Sequence, residues 1–289
     1  MFLRHAALEK TMTTPALAAR PVADCTSEEV AFAINRGFEG YFVPLVFTAQ
    51  AYERRFRSEH LDPYASRVYS HDGSPAGALL IARRGWTRRV AAMGIAPEFR
   101  GRGVGRRILE EAIAEARAQG DRAMLLEVLV QNAPAVALYS GLGFRTRRRL
   151  AGYRWDPVEI EPTGPLDEID PRDFARLAVR EGEPDLPWTL QPETFAASTP
   201  PARAWRLGEA RALVGDPAAA MLALHALVVP RAHRRQGWGR RMLHALAAAH
   251  PCRTWWLSHY IPEDLAPEFF TGPGWQRQGL EQMEMRLEI

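Results

Sequence analysis

Apolar positions along this 289-residue chain gather into short runs separated by glycine, proline and charge, and one order of runs occurs twice. In the first half, Val90 to Pro97 reads as a strand, Arg100-Gly101-Arg102-Gly103-Val104-Gly105 as a tight glycine turn and Arg106 to Ala118 as a helix. Leu125-Leu126-Glu127-Val128 then reads as the next strand. In the second half, Val228-Val229-Pro230 leads into Arg234-Arg235-Gln236-Gly237-Trp238-Gly239 and another helical stretch. Arg100 and Arg234 stand 134 residues apart, and Leu138 to Phe144 lines up with Phe269 to Trp275 at a spacing of 131. The helix starts are paired too. Thr26-Ser27-Glu28-Glu29 predicts an N-cap and capping box before Val30 to Gly37, and Asp170-Pro171 predicts an N-cap with proline at the first helical position before Phe174 to Arg180.

Between the repeats, Asp156 to Pro165 is rich in proline and glycine. The expected division is a mobile extension over 1–19, a first unit over 20–156, a linker over 157–165 and a second unit over 166–289. Met12 is an alternative start.

The glycine turn carries the chemistry. The first N–H groups of a helix lack intrahelical partners and carry the positive end of its dipole, so anions settle there. Gly101, Gly103 and Gly105 permit left-handed backbone and close approach, while Arg100, Arg102 and Arg106 add charge. A pyrophosphate is the expected guest. The chain has no G-x-x-x-x-G-K-[ST], and no acidic residue ends a strand about twenty positions on, as a dinucleotide site requires.

With Arg100, Gly103 and Gly105 in R-x-x-G-x-G after Ile95-Ala96-Pro97, and Asn132 to Phe144 in N-x-x-A-x-x-L-Y-x-x-x-G-F, the chain resembles the GNAT N-acetyltransferase superfamily. The resemblance implies an α/β fold with a mixed sheet, present here in tandem, and acetyl-CoA as cosubstrate. It places Met93, Gly94 and Ile95 along the pantetheine arm, Arg100 to Arg106 at the pyrophosphate and Asn132 beside the arm. Tyr139 takes the family's general-acid position, protonating the departing thiolate. Gly94 fits a bulge or a close ligand approach inside a strand.

The second copy differs where chemistry is concerned. Phe270 stands at the place of Tyr139, Glu263 at that of Asn132, and one extra residue separates Pro230 from Arg234. That copy is expected to be degenerate, with a bulge or drifted site at the extra residue. Its His225, His259, Trp255 and Trp256 carry no assigned role.

The base is less legible. No carboxylate lies in Arg88 to Gly94, and Glu127 either acts as base through water or pairs with an arginine; solvent is the remaining alternative. Acceptor recognition falls to 35–60, where Phe38, Tyr41, Phe42, Phe47 and Tyr52 are mostly core and Glu39 and Glu53 are the carboxylates that could attract an amine.

Composition adds limits. No apolar run of about twenty residues exists, which argues against a membrane span. Cys25 and Cys252 are too few for a disulfide framework, and no Cys/His cluster has metal spacing. Lys10 is the only lysine in a set of 37 basic residues, and Arg145 to Arg149 reads as a solvated strand or loop rather than a nucleic-acid site. The expected protein is a cytoplasmic acetyltransferase acting on a small-molecule or peptide amine, with a homodimer left open. The alternatives are a non-catalytic acyl-CoA-binding or sensing module, and an arrangement like mycothiol synthase with the working copy at the C-terminus.

Overall fold

The computed structural model describes residues 15–44, 46–158, 160, 164–251 and 253–289. Met12, Cys252 and part of the expected linker lie outside them. The elements run β1 (Ala18–Pro21), α1 (Ser27–Gly37), α2 (Ala49–Glu59), β2 (Arg67–His71), β3 (Ser74–Arg84), β4 (Thr87–Ile95), α3 (Val104–Ala118), β5 (Ala123–Leu129), α4 (Ala133–Gly141) and β6 (Arg145–Trp155). The second half follows with β7 (Asp167–Ile169), α5 (Pro171–Glu181), α6 (Pro192–Ala196), β8 (Arg203–Leu207), β9 (Ala210–Val214), β10 (Met221–Val228), α7 (Trp238–Ala249), β11 (Thr254–Pro262) and β12 (Trp275–Glu288).

Both predicted helix starts are present. Thr26 accepts from the Glu29 amide at 3.2 Å while its own amide donates to Glu29 Oε2 at 2.7 Å, and Asp170 accepts from the Arg172 amide at 2.8 Å. The extension expected over 1–19 ends earlier than predicted. Ala18 and Ala19 pair with Ser70 and Tyr69 in β2, where a chain beside an open sheet edge satisfies its backbone groups.

All strands join one 12-stranded sheet in the order β1-β2-β3-β4-β5-β12-β6-β11-β10-β9-β8-β7. The halves exchange their last strands. β12 lies between β5 and β6, pairing Glu284 with Glu127, whereas β6 lies against β11, pairing Trp255 with Trp155. Met285 and Leu287 are consequently buried in the core beneath α3, and Tyr153 and Trp155 in the core beneath α7. Neither core closes without the other half's strand.

The halves agree element by element. In each, a parallel strand pair separates early: β4 pairs with β5 only through Val90 and Leu126, and β10 with β11 only through Ala223 and Trp256. In each, one residue bulges from the antiparallel partner just beyond the parting, Ala91 in β4 and His225 in β10, again 134 apart. The spacing falls to 131 because α7 has 12 residues where α3 has 15. Among the described residues no helix is long and apolar enough to cross a membrane.

Candidate active site

Residues Ala91 to Ile95 leave the edge facing β5 without a strand partner, opening a wedge between the two strands. A short 3₁₀ turn, Pro97–Phe99, closes its end and feeds the glycine turn. Gly101 and Gly103 have φ of 70° and 78°, and α3 begins at Val104 with no side chain capping its first amides. A Cβ at Gly105 would come within 3.2 Å of Met93 Cε and 3.4 Å of Ile95 Cδ1, so the loop packs tightly on the strand it follows. The free amides of α3, the unpaired strand edge and the exposed Arg102 and Arg106 suit a long anionic ligand lying along the wedge.

Arg100 does something else. Its guanidinium donates to the carbonyls of Ile95 (2.7 Å), Gly37 (3.0 Å) and Glu39 (2.7 Å), and its amide to Pro97 O. Expected at the phosphates, Arg100 instead ties the loop to β4 and to the end of α1.

Gly94 also has a different reason from the expected one. The bulge is at Ala91, and a Cβ at Gly94 would fall 2.9 Å from Gly37 C and 2.8 Å from Phe38 Cδ2. A Cβ at Gly77, where φ is 146°, would strike Gly94 O at 2.1 Å. The helix end, β4 and β3 approach too closely for side chains at any of the three.

Tyr139 is buried in α4, 8% exposed, with its ring edge-on to Phe144 at 5.9 Å. Burial, with a smaller contribution from Tyr41, pushes its phenol far above the ordinary tyrosine value. Such a hydroxyl stays protonated at any working pH. Asn132 caps α4 through Oδ1, accepting from Ala135 N at 3.3 Å, and lies close enough to Tyr41 to offset part of the rise that burial gives that phenol's pKa. Tyr41, counted with the core aromatics in the sequence, therefore joins Asn132 and Tyr139 across the wedge mouth. Its ring meets Phe38 and Phe42 edge-on, at 5.1 and 5.5 Å.

Glu127 is not free to act as a base. Arg89 Nε lies 2.8 Å from its Oε2 and 3.1 Å from its Oε1, and the Glu127 side chain is only 4% exposed. Both of its oxygens are taken up by one buried guanidinium, a charge-assisted pairing. The pairing alternative is the one realised. Arg89 also reaches Glu59 Oε2 at 2.5 Å, and Glu59 takes Arg55 Nε at 2.5 Å. On the opposite face of β4, Arg88 meets Asp121 at 2.5 Å and Glu115 at 3.3 Å. Adjacent arginines on a strand point to opposite faces, so each needed a separate carboxylate partner.

The second half reproduces the loop but not the residues that surround it. The 3₁₀ turn Arg231–His233 follows Pro230 as Pro97–Phe99 follows Ala96, so the extra residue expected after Pro230 is only a proline moved by one place. The loops have equal length and no bulge. Arg234 donates to Val229 O (3.2 Å) and Glu181 O (2.5 Å) as Arg100 does to Ile95 O and Gly37 O, and Gly237 has φ of 81°. Beyond the loop the likeness fails. Phe270 stacks on Tyr153 at 4.0 Å, Glu263 pairs with Arg277, and the counterpart of α4 is a 3₁₀ turn, Pro267–Thr271.

Residues 33–144 match the Acetyltransferase (GNAT) family. Across 99% of its length the chain superposes on a putative acetyltransferase from Pyrococcus horikoshii, covering 94% of that protein with a TM-score of 0.70 at 16% identity. It superposes over 94% of its length on a tandem GNAT protein from the clavulanic acid biosynthesis pathway, covering 98% of it with a TM-score of 0.66 at 20% identity. The fold is the GNAT fold. By sequence, the chain is 40% identical over 90 residues to an IAA acetyltransferase of Azospirillum brasilense and 36% identical over 75 residues to a streptothricin acetyltransferase of Streptomyces lavendulae. Those stretches are 31% and 25% of this chain, and 59% and 40% of the two relatives.

Proposed function

We propose that the chain is a tandem GNAT protein that transfers acetyl from acetyl-CoA to an amine, with its working site in the N-terminal half. What carries this reading is the gathering of loop, open strand edge, Asn132 and Tyr139 in one half, against Phe270 and the Glu263–Arg277 pair in the other.

Bound acetyl-CoA would supply the thioester. The amides opening α3 hold its pyrophosphate, with Arg102 and Arg106 nearby, and the edge of Met93, Gly94 and Ile95 holds its arm. Asn132 offers its amide to the same arm. The amine nitrogen attacks the carbonyl carbon, the C–N bond forms as the C–S bond breaks, and Tyr139 donates its proton to the sulfur. With Glu127 committed to Arg89, the proton lost by the amine passes to solvent. A CoA-binding or sensing module, the competing reading, would leave Tyr139 without work.

Calorimetric titration of acetyl-CoA into the whole protein and its Gly103→Glu and Gly237→Glu variants tests the assignment. A carboxylate at the start of α3 should weaken binding by about a hundredfold, the combined effect of like charge and a side chain at a left-handed position. Binding lost only in Gly237→Glu would move the working site to the other half.

A further inference from the structure

The acetyl-transfer reading leaves the acceptor open, and the face of the wedge opposite α3 and α4 narrows it. Four ionised side chains lie there in a chain, Arg55, Glu59, Arg89 and Glu127, with Tyr260 of β11 arriving from the second half. Their hydrogen-bonding capacity is unevenly spent. Glu59 gives Oε1 to Arg55 and Oε2 to Arg89, and Glu127 gives both oxygens to Arg89. Arg89 in turn uses Nε, Nη1 and Nη2 on those carboxylates.

Arg55 is different. Its Nε goes to Glu59 and its Nη2 to Ala91 O at 2.5 Å, the carbonyl that the β4 bulge releases where the wedge opens. Its Nη1 has no partner among the described residues, and the side chain is 19% exposed. Around it stand Phe47, whose ring centroid is 5.6 Å from the guanidinium carbon, and the partly exposed Tyr260, which lies near enough to interact electrostatically. Phe47 is fixed by two hydrogen bonds to Asn35, at 2.7 and 2.9 Å. Across the fold, Trp188 donates to Glu59 O at 2.8 Å, so the second half also backs α2.

The geometry points to Arg55 as the acceptor's anchor: it receives a carboxylate carried by the same molecule as the reacting amine, between Phe47 and the second half's Tyr260. The open donor is cationic while the buried carboxylates beside it, Glu59 and Glu127, are already paired with arginines, so a second anionic group on the acceptor finds a partner and a second cation does not. This rests on the proposed acetyl transfer.

The test measures thiol release from acetyl-CoA by the full chain with alanine, methionine and phenylalanine, each supplied as the free acid and as the carboxamide. The wild type should favour at least one acid over its amide by about tenfold or more in kcat/KM, as expected of a charge-assisted hydrogen bond. Arg55→Gln should bring the pair to similar rates by raising KM for the acid, and Arg55→Lys should restore part of the preference. Tyr260→Phe, which leaves the ion pairs intact, should raise KM for the acid severalfold without changing the KM for acetyl-CoA. Amides used as well as acids by the wild type, or Arg55→Gln lowering both alike, would overturn the acceptor assignment while leaving acetyl transfer standing. Loss of the acetyl-CoA site itself, read by the Gly103→Glu titration, would remove both.

Discussion

The two loops, 97–104 and 231–238, agree in length, in bracing arginine and in left-handed glycine, yet the residues around them have diverged. What has been kept is what packs. Arg100 and Arg234 each donate to carbonyls at the ends of the preceding strand and of a helix, and the bulges at Ala91 and His225 end the parallel pairing at the same level. What differs, Tyr139 against Phe270 and Asn132 against Glu263, falls on residues that each half packs or pairs in its own way. A glycine loop therefore reports descent and architecture, and the groups facing the wedge report work. The strand exchange also ties the halves together: removing the second would take β12 from beside β5 and Met285 and Leu287 from the first half's core.

The largest effect that would break this comparison is kinetic. Tyr139→Phe should lower kcat by about a hundredfold or more, the ordinary worth of a positioned acid, while leaving acetyl-CoA affinity unchanged. The reciprocal Phe270→Tyr should add no activity, because its ring is stacked on Tyr153 and the capping amide is missing. Steady-state rates and calorimetry on both variants decide it, and full activity in Tyr139→Phe would strip that residue of its role.

Next in size is Glu127, whose counterpart by spacing is Ser258. Glu127→Gln leaves Arg89, 1% exposed, with one ionic partner fewer, and should cost about 3 kcal/mol in urea unfolding. Ser258→Ala should cost well under 1 kcal/mol, as for most changes away from buried ion pairs. Activity of the folded Glu127→Gln protein should stay within about tenfold of wild type; a loss of about a hundredfold or more, at unchanged stability, would restore Glu127 as the base.

Much of this was legible in the chain itself. Caps at Thr26 and Asp170, the loop and the repeat follow from local chemistry and spacing. The rest depended on contacts distant in sequence. Nothing beside Arg89 announces Glu59, 30 residues earlier, nor Tyr260 far beyond it. The strand exchange was invisible because β6 and β12 carry patterns that fit either partner. Arg100 misled for a related reason: an arginine beside a phosphate loop and an arginine bracing one look identical until the carbonyls around it are known.

Gly94 gives a smaller, structural contrast, since its counterpart by spacing is Val228, a partly buried residue with room for its side chain. Gly94→Ala must push Gly37 and Phe38 away and should destabilise by about 2 kcal/mol. Val228→Ala should cost about 1 kcal/mol or less. Equal urea midpoints for wild type and Gly94→Ala would show that α1 yields easily and that the glycine serves the ligand after all.

The smallest effect separates the two helix caps. Thr26 caps α1 with a hydroxyl, while Asp170 caps α5 with a carboxylate that Arg172 holds at a pKa of about 2, below the usual value for aspartate. A group whose pKa falls on folding stabilises above its unfolded pKa, and that contribution disappears as pH drops through the folded one. Asp170→Ser keeps a capping oxygen and removes the titration. The wild type should therefore exceed Asp170→Ser in urea midpoint at pH 6, with the gap shrinking as pH is lowered from about 4 toward 2. A Thr26→Ser variant compared over the same range should show no such convergence, because neither hydroxyl titrates. A gap for Asp170→Ser that is independent of pH would mean that Asp170 acts only as a hydrogen-bond acceptor and that its pairing with Arg172 adds nothing.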